Sequence, residues 1–231
     1  MAKKNRNKDT NSRRRGRPGT RTTSEPILLF VQGKCTEKDY FKLLRSRLRL
    51  QSLTIITESQ SPENLIEQTK TTINREDDAP FSAIYYVVDV DETSDKQFNQ
   101  AFTTAKDATN CCETEYHFVV SHESFEAWLL AHFEDIRNKN YSRITMGKKL
   151  RDLKMLNGPS GKNVSDDFPV EDYKQAMGRV THCAFDEVNR ETTSTAMPHL
   201  ITELIKLKPK TQPNRATCST SGPAATGICP G

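Results

Sequence analysis

Apolar residues in this chain fall into short unbroken runs. Between the runs they recur every third or fourth position. Ile27–Val31 (ILLFV) has no polar interruption, which predicts a strand covered on both faces. Thr36 then predicts a helix start, and Phe41, Leu44 and Leu48 follow at helical spacing with Lys and Arg between them. Leu53–Thr57 (LTIIT) predicts a second strand. Ser61-Pro62-Glu63 marks a helix start with proline at the first helical position, and Leu65, Ile66, Thr69 and Ile73 form its apolar stripe. Ala83–Val88 (AIYYVV) predicts a third strand running into Asp89-Val90-Asp91, followed by a helix bearing Phe98, Ala101, Phe102, Ala105 and Ala108. Tyr116–Val120 (YHFVV) predicts a fourth strand and Ser124–Phe133 a helix with Phe125, Trp128, Leu129 and Phe133 on one side. Four strand–helix units in succession predict an α/β fold, a four-stranded, mainly parallel sheet flanked by helices. Beyond residue 140 the strand signal fades. Helices are predicted over 143–156, 169–190 and 196–207, around the polar loop NGPSGKNVSDDFP, as a C-terminal helical extension packed on the sheet.

Polar ends bracket this pattern. Residues 1–25 hold almost nothing apolar, and 209–231 are rich in Pro, Gly, Ser and Thr without periodicity, so both are expected to be disordered tails. The α/β domain is then 26–138 and the extension 139–208. Of 231 residues, 34% are hydrophobic and 28% charged, and no apolar run approaches the ~20 residues of a membrane-spanning helix. The start of the chain has no apolar segment of the kind that directs secretion. The six cysteines show no framework spacing and no C-x-x-C. Together these features predict a cytoplasmic protein with reduced thiols and no membrane association. The net charge of +4 is unevenly placed: residues 1–22 carry nine Lys/Arg against Asp9 alone, whereas residues 23–231 carry 25 basic and 29 acidic residues. A concentrated basic segment suits a polyanion such as RNA or DNA.

In a parallel α/β sheet, ligands bind outside the carboxyl ends of the strands. Gln32-Gly33-Lys34, Asp89-x-Asp91 and Ser121-His122-Glu123 are all expected there, the last leading into a helix with Glu126 and His132. Carboxylates at i and i+2 leave a strand end on the same side. Hard oxygen ligands so placed suit Mg²⁺ or Mn²⁺. A solvated loop aspartate is the plainer alternative. Lys34 can neutralise a phosphate or stand as an exposed turn lysine. Glu126 and His132 are six residues apart, about 240° around a helix, so they do not form a two-ligand site by themselves. His132 reads as structural and Trp128 as core.

The strand order, the turn after strand one and the D-x-D after strand three resemble a Toprim domain, the metal-dependent module of topoisomerases, primases and related nucleases. More closely, the chain resembles the RloB family. Val31-Gln32-Gly33-Lys34-Cys35-Thr36-Glu37-Lys38-Asp39-Tyr40-Phe41 is similar to its V-E-G-x-x-T-E-x-x-Y-F opening. Val88-Asp89-Val90-Asp91 matches its D-x-D strand end. Ser121–Phe133 (SHESFEAWLLAHF) matches its S-x-x-x-F-E-x-W-L-L-x-H-F segment, and Thr193-Ser194-Thr195 a weaker Ser/Thr segment. DVDET also resembles the dehalogenase-type phosphatase motif, but that family carries it on its first strand and here it follows the third.

The RloB resemblance implies a Toprim-like nuclease acting on RNA or DNA in bacterial or archaeal anti-phage defence, with an ABC/AAA-type ATPase partner and room for a homo-oligomer. It implies Asp89 and Asp91 as ligands of Mg²⁺ or Mn²⁺ and Glu126 as a further site acid. Lys34, Gly33, Glu37 and Ser121 are expected toward the substrate. Gln32 stands where the family carries its first acid. An amide neither ionises nor accepts a proton near neutral pH, so Glu37 or Glu123 would have to supplement the site. Otherwise the chain is a non-catalytic nucleic-acid- or partner-binding subunit.

Overall fold

A computed structural model describes residues 25–73, 81–90 and 93–209. The two expected tails, apart from Glu25 and Pro209, lie outside these residues, and so does Asp91.

The chain order begins β1 (Ile27–Val31), α1 (Thr36–Leu48), β2 (Leu53–Thr57), α2 (Pro62–Ile73), β3 (Ala83–Asp89), α3 (Asp95–Cys111), β4 (Glu115–His122) and α4 (Glu126–Ala131). The four strands pair in the order β2-β1-β3-β4, all parallel. Their alternation sorts side chains between two cores. Ile27, Leu29, Val31, Tyr85 and Val87 face a core shared with α1, whereas Leu28, Phe30, Ile84, Tyr86 and Val88 face one shared with α2 and α3. Both faces are therefore covered, which explains why these strands read as continuous apolar runs.

The C-terminal part differs from the helical extension predicted for it. It contains α5 (Arg143–Asp152), the short hairpin β5 (Leu156–Asn157) and β6 (Asn163–Val164), α6 (Tyr173–Met177), β7 (Thr181–His182), β8 (Ser194–Thr195) and α7 (Met197–Lys206). The sheet thus has six strands, in the order β2-β1-β3-β4-β8-β7. β8 runs antiparallel to the end of β4, pairing Ser121 with Thr195 and His122 with Ser194. The single helix predicted over 169–190 is only a 3₁₀ turn at Val170–Asp172 followed by the five residues of α6. Gly178 closes α6, and the β-branched Val180-Thr181 pair then favours extended chain. The extension adds to the same core as α1: Met146, Leu150, Tyr173, Met197, Leu200, Ile201 and Leu204 join Tyr40, Phe41 and Trp128 there.

Among the described residues no helix is long and apolar enough to cross a membrane. Cys35, Cys111, Cys112 and Cys183 are free thiols, and burial pushes the Cys183 thiol up to about 12.

Candidate functional site

β1 and β3 are neighbours, but their connections leave on opposite faces: α1 packs in one core and α3 in the other. Such a switch point opens a crevice outside the strand ends. On the β1 side, the Gln32 amide N–H donates to Val87 O at 3.3 Å. Next comes Gly33, where a Cβ would stand 1.5 Å from a carboxyl oxygen of Glu37. The missing side chain is what lets Glu37, in the first turn of α1, fold its carboxyl back over the turn. Glu37 is buried, and desolvation pushes its carboxyl pKa up. Its own backbone N–H, Arg143 and Lys162 oppose that shift, whereas the nearby Glu126 reinforces it.

On the β3 side, Asp89 is the last residue of the strand. Its Oδ1 accepts from the Phe125 backbone N–H at 2.9 Å, which ties the strand end to the start of α4. Its Oδ2 faces Arg143 Nη2 at 3.8 Å. Glu126, the first residue of α4, places Oε2 at 3.9 Å from Arg143 Nε. Glu123 Oε2 accepts from the Arg143 backbone N–H at 2.8 Å, satisfying one free donor at the start of α5. Arg143 therefore joins acids from β3, the β4–α4 turn and α4. Its side chain is 40% exposed, against 12% for Asp89 and 9% for Glu126. The carboxylates line the wall and the guanidinium forms the rim.

Of the residues singled out from sequence, Gly33, Glu37, Asp89 and Glu126 are brought together here. Lys34 is exposed in the turn just outside, and the Gln32 side-chain amide donates to Gln60 O at a long 3.4 Å. Ser121 lies elsewhere than expected: it is fully buried and its hydroxyl bonds Thr195 Oγ1 at 2.8 Å, so it fastens β4 to β8 instead of facing a substrate. Thr36 is not the cap of α1. Cys35 holds that position, and the Thr36 hydroxyl donates to Lys162 O at 2.8 Å. His132 is structural: buried against Tyr40, Trp128 and Phe168, it bonds Pro169 O at 3.0 Å, and desolvation holds its pKa down at about 4.

Among the described residues, no group of three His, Cys, Asp or Glu side chains is placed to hold a metal ion. Two carboxylates suffice for Mg²⁺ when water or phosphate completes the shell. Asp89 and Glu126 supply hard oxygens that already converge on one cation, Arg143, so the donor chemistry fits such an ion.

Arg143 and Lys162 were not foreseen. Arg143 follows Asp89 by more than fifty residues and carries no motif, and Lys162 sits in a hairpin that reads as loop. Only the packing of α5 against α4, and the Thr36–Lys162 bond, bring them to the crevice.

No curated protein and no solved structure matches the chain. A family model described as RloB-like protein matches residues 27–204, which spans every described strand and all but the end of α7. The match includes each residue of the crevice, and the chain belongs to the RloB-like family.

Proposed function

We propose that the chain is a metal-dependent nuclease that hydrolyses phosphodiesters of RNA or DNA in defence against phage. The observation that carries this reading is the convergence of Asp89 and Glu126 on a single cationic group at the β1/β3 switch point. Asp89 and Glu126 would hold Mg²⁺ or Mn²⁺, with Asp91, two positions on in the sequence, as a further ligand. When bound, the ion polarises a phosphodiester and lowers the pKa of a water nucleophile. The chain's own groups do the rest. The Phe125 N–H fixes one oxygen of Asp89 and leaves the other toward the crevice. Arg143, 40% exposed beside the carboxylates, would meet a phosphate oxygen, for which its planar fork is suited. Lys34 stands at the outer edge of the same opening. An ATPase of the ABC/AAA type is the partner proposed from family resemblance.

The test is cleavage of labelled RNA and DNA with Mg²⁺ or Mn²⁺ by the wild type and by Asp89→Ala. The variant is expected to lose at least a hundredfold in rate, and equal rates would remove the proposed site. One observation favours a second reading, a binding subunit without turnover: Gln32 stands at the position of the family's first acid. Gln32→Glu separates the two. If the parent is a disabled enzyme, metal-dependent cleavage is expected to appear in the variant and not in the parent.

A further inference from the structure

The outer face of α1 carries a line of cations that the crevice does not use. Lys38, Lys42, Arg45 and the capping residue Arg49 are spaced four, three and four apart. At 100° per residue they fall within an arc of about 60°. Lys34, four residues before Lys38, extends the line to the mouth of the crevice. Lys34, Lys42, Arg45 and Arg49 are exposed and Lys38 is half-buried. Among the described residues no carboxylate pairs with any of the five. Asp39, on another side of the helix, is bonded by Asn163, and Glu37 is turned inward. Arg47 lies off the line and donates to Asp166 O.

Like charges at i,i+3 and i,i+4 destabilise a helix. Lys38 also sits in the first turn, where a cation opposes the helix dipole. Glu37 and Asp39 offset the dipole in the first turn and Arg45 suits the last, but no described carboxylate pairs with the line itself, which leaves it complementary to an anion outside α1. Its length, 11 residues of rise or about 16 Å, spans about five phosphates at 3.4 Å per step of one strand. One end opens on Gly33 and Glu37. At the other, the helix turns into β2 beside Ser52, whose carbonyl accepts from Ile27 N–H at 2.9 Å. β1 starts at this same end, and residues 1–22, earlier in the sequence, carry nine cations. A lipid surface is a poorer occupant. Interfacial helices need a large apolar face beside the cations, and among the described residues the exposed large apolar ones, Ile144 and Leu153, are both outside α1.

We infer that Lys38, Lys42, Arg45 and Arg49 form a track for the phosphodiester backbone of a nucleic acid, leading it past Lys34 into the Asp89–Glu126 crevice. The choice of polyanion rests on the phosphodiesterase reading above; the track itself rests on charge and spacing. The test uses the full chain and a labelled duplex oligonucleotide, with anisotropy measured across a salt series in EDTA so that binding is read without turnover. Lys38→Gln/Lys42→Gln/Arg45→Gln removes three cations, so the slope of log K against log salt is expected to become shallower by about 2.7. Lys96→Gln/Lys106→Gln/Lys174→Gln, on exposed sites elsewhere, is expected to change it far less.

Glutamine is a good helix former, and a thermal melt that does not fall confirms that any loss is not unfolding. An unchanged slope in the α1 variant, or an equal loss in the control variant, overturns the track. So does stripe-dependent binding to phosphatidylserine vesicles with none to the oligonucleotide. Asp89→Ala keeps the readouts apart. If it abolishes cleavage while the α1 variant binds normally, the track falls and the nuclease reading stands. If the α1 variant loses binding and no protein cleaves, the track stands and the nuclease reading falls.

Discussion

Single residues decide what the crevice holds. Gly33 sets where Glu37 lies: a Cβ there would meet the Glu37 carboxyl, the flexible end of that side chain, which would have to leave the β1–α1 turn. Glu37 and Gly33 were both visible in the sequence as candidates, but their mutual contact was not. His132 reads as structural in the sequence, and the structure supplies the reason: aromatic rings and the Pro169 carbonyl seal its imidazole. Its folded pKa of about 4 lies below the unfolded value of about 6.5. The unfolded chain therefore takes up a proton first as pH falls, and stability from this residue is present above about 6.5 and lost on the way to 4. The loss amounts to about 3 kcal/mol at most. Urea midpoints measured between pH 7 and 4 are expected to fall less steeply in His132→Gln than in the wild type, even though the variant starts lower.

At the scale of elements, short-range signals worked where local chemistry suffices. α3 begins in a capping box: Ser94 Oγ accepts from Gln97 N–H at 3.4 Å, and Gln97 Oε1 accepts from Ser94 N–H at 3.0 Å. The Gln97 amide also donates to Glu63 Oε1 at 2.9 Å, tying α3 to α2. Ser94→Ala is expected to cost about 1 kcal/mol, read as a lower urea midpoint with an unchanged m value. The elements that escaped the sequence are two residues long. β7 and β8 exist because Thr181-His182 and Ser194-Thr195 meet each other and the end of β4, which no local pattern announces. Thr193-Ser194-Thr195, the weaker of the family-like segments, belongs to this seam: all three residues are fully buried and Thr195 bonds Ser121. On α1, alternate spacing scatters Arg45, Arg47 and Arg49 around the helix, and the line emerges when Lys38 and Lys42 are taken with Arg45 and Arg49.

At the scale of the molecule, one mainly parallel sheet carries two cores, and the C-terminal residues thicken chiefly the core on the α1 side. That asymmetry matters for the site. α5 is held by α4, so Arg143 is delivered to Asp89 and Glu126, and the β5–β6 hairpin lies along α1, so Lys162 is delivered to Glu37. The sequence by itself determined the four central strands, their helices and the candidate acids at their ends, because burial on both faces writes continuous apolar runs and parallel connections leave polar residues at strand carboxyl ends. Only the tertiary structure decided which acids meet. Asp89, Glu126 and Glu123 share Arg143, Glu37 fills the space over Gly33, and Ser121 is withdrawn into the sheet. Those contacts join residues up to 74 positions apart, through packing that has no period along the chain.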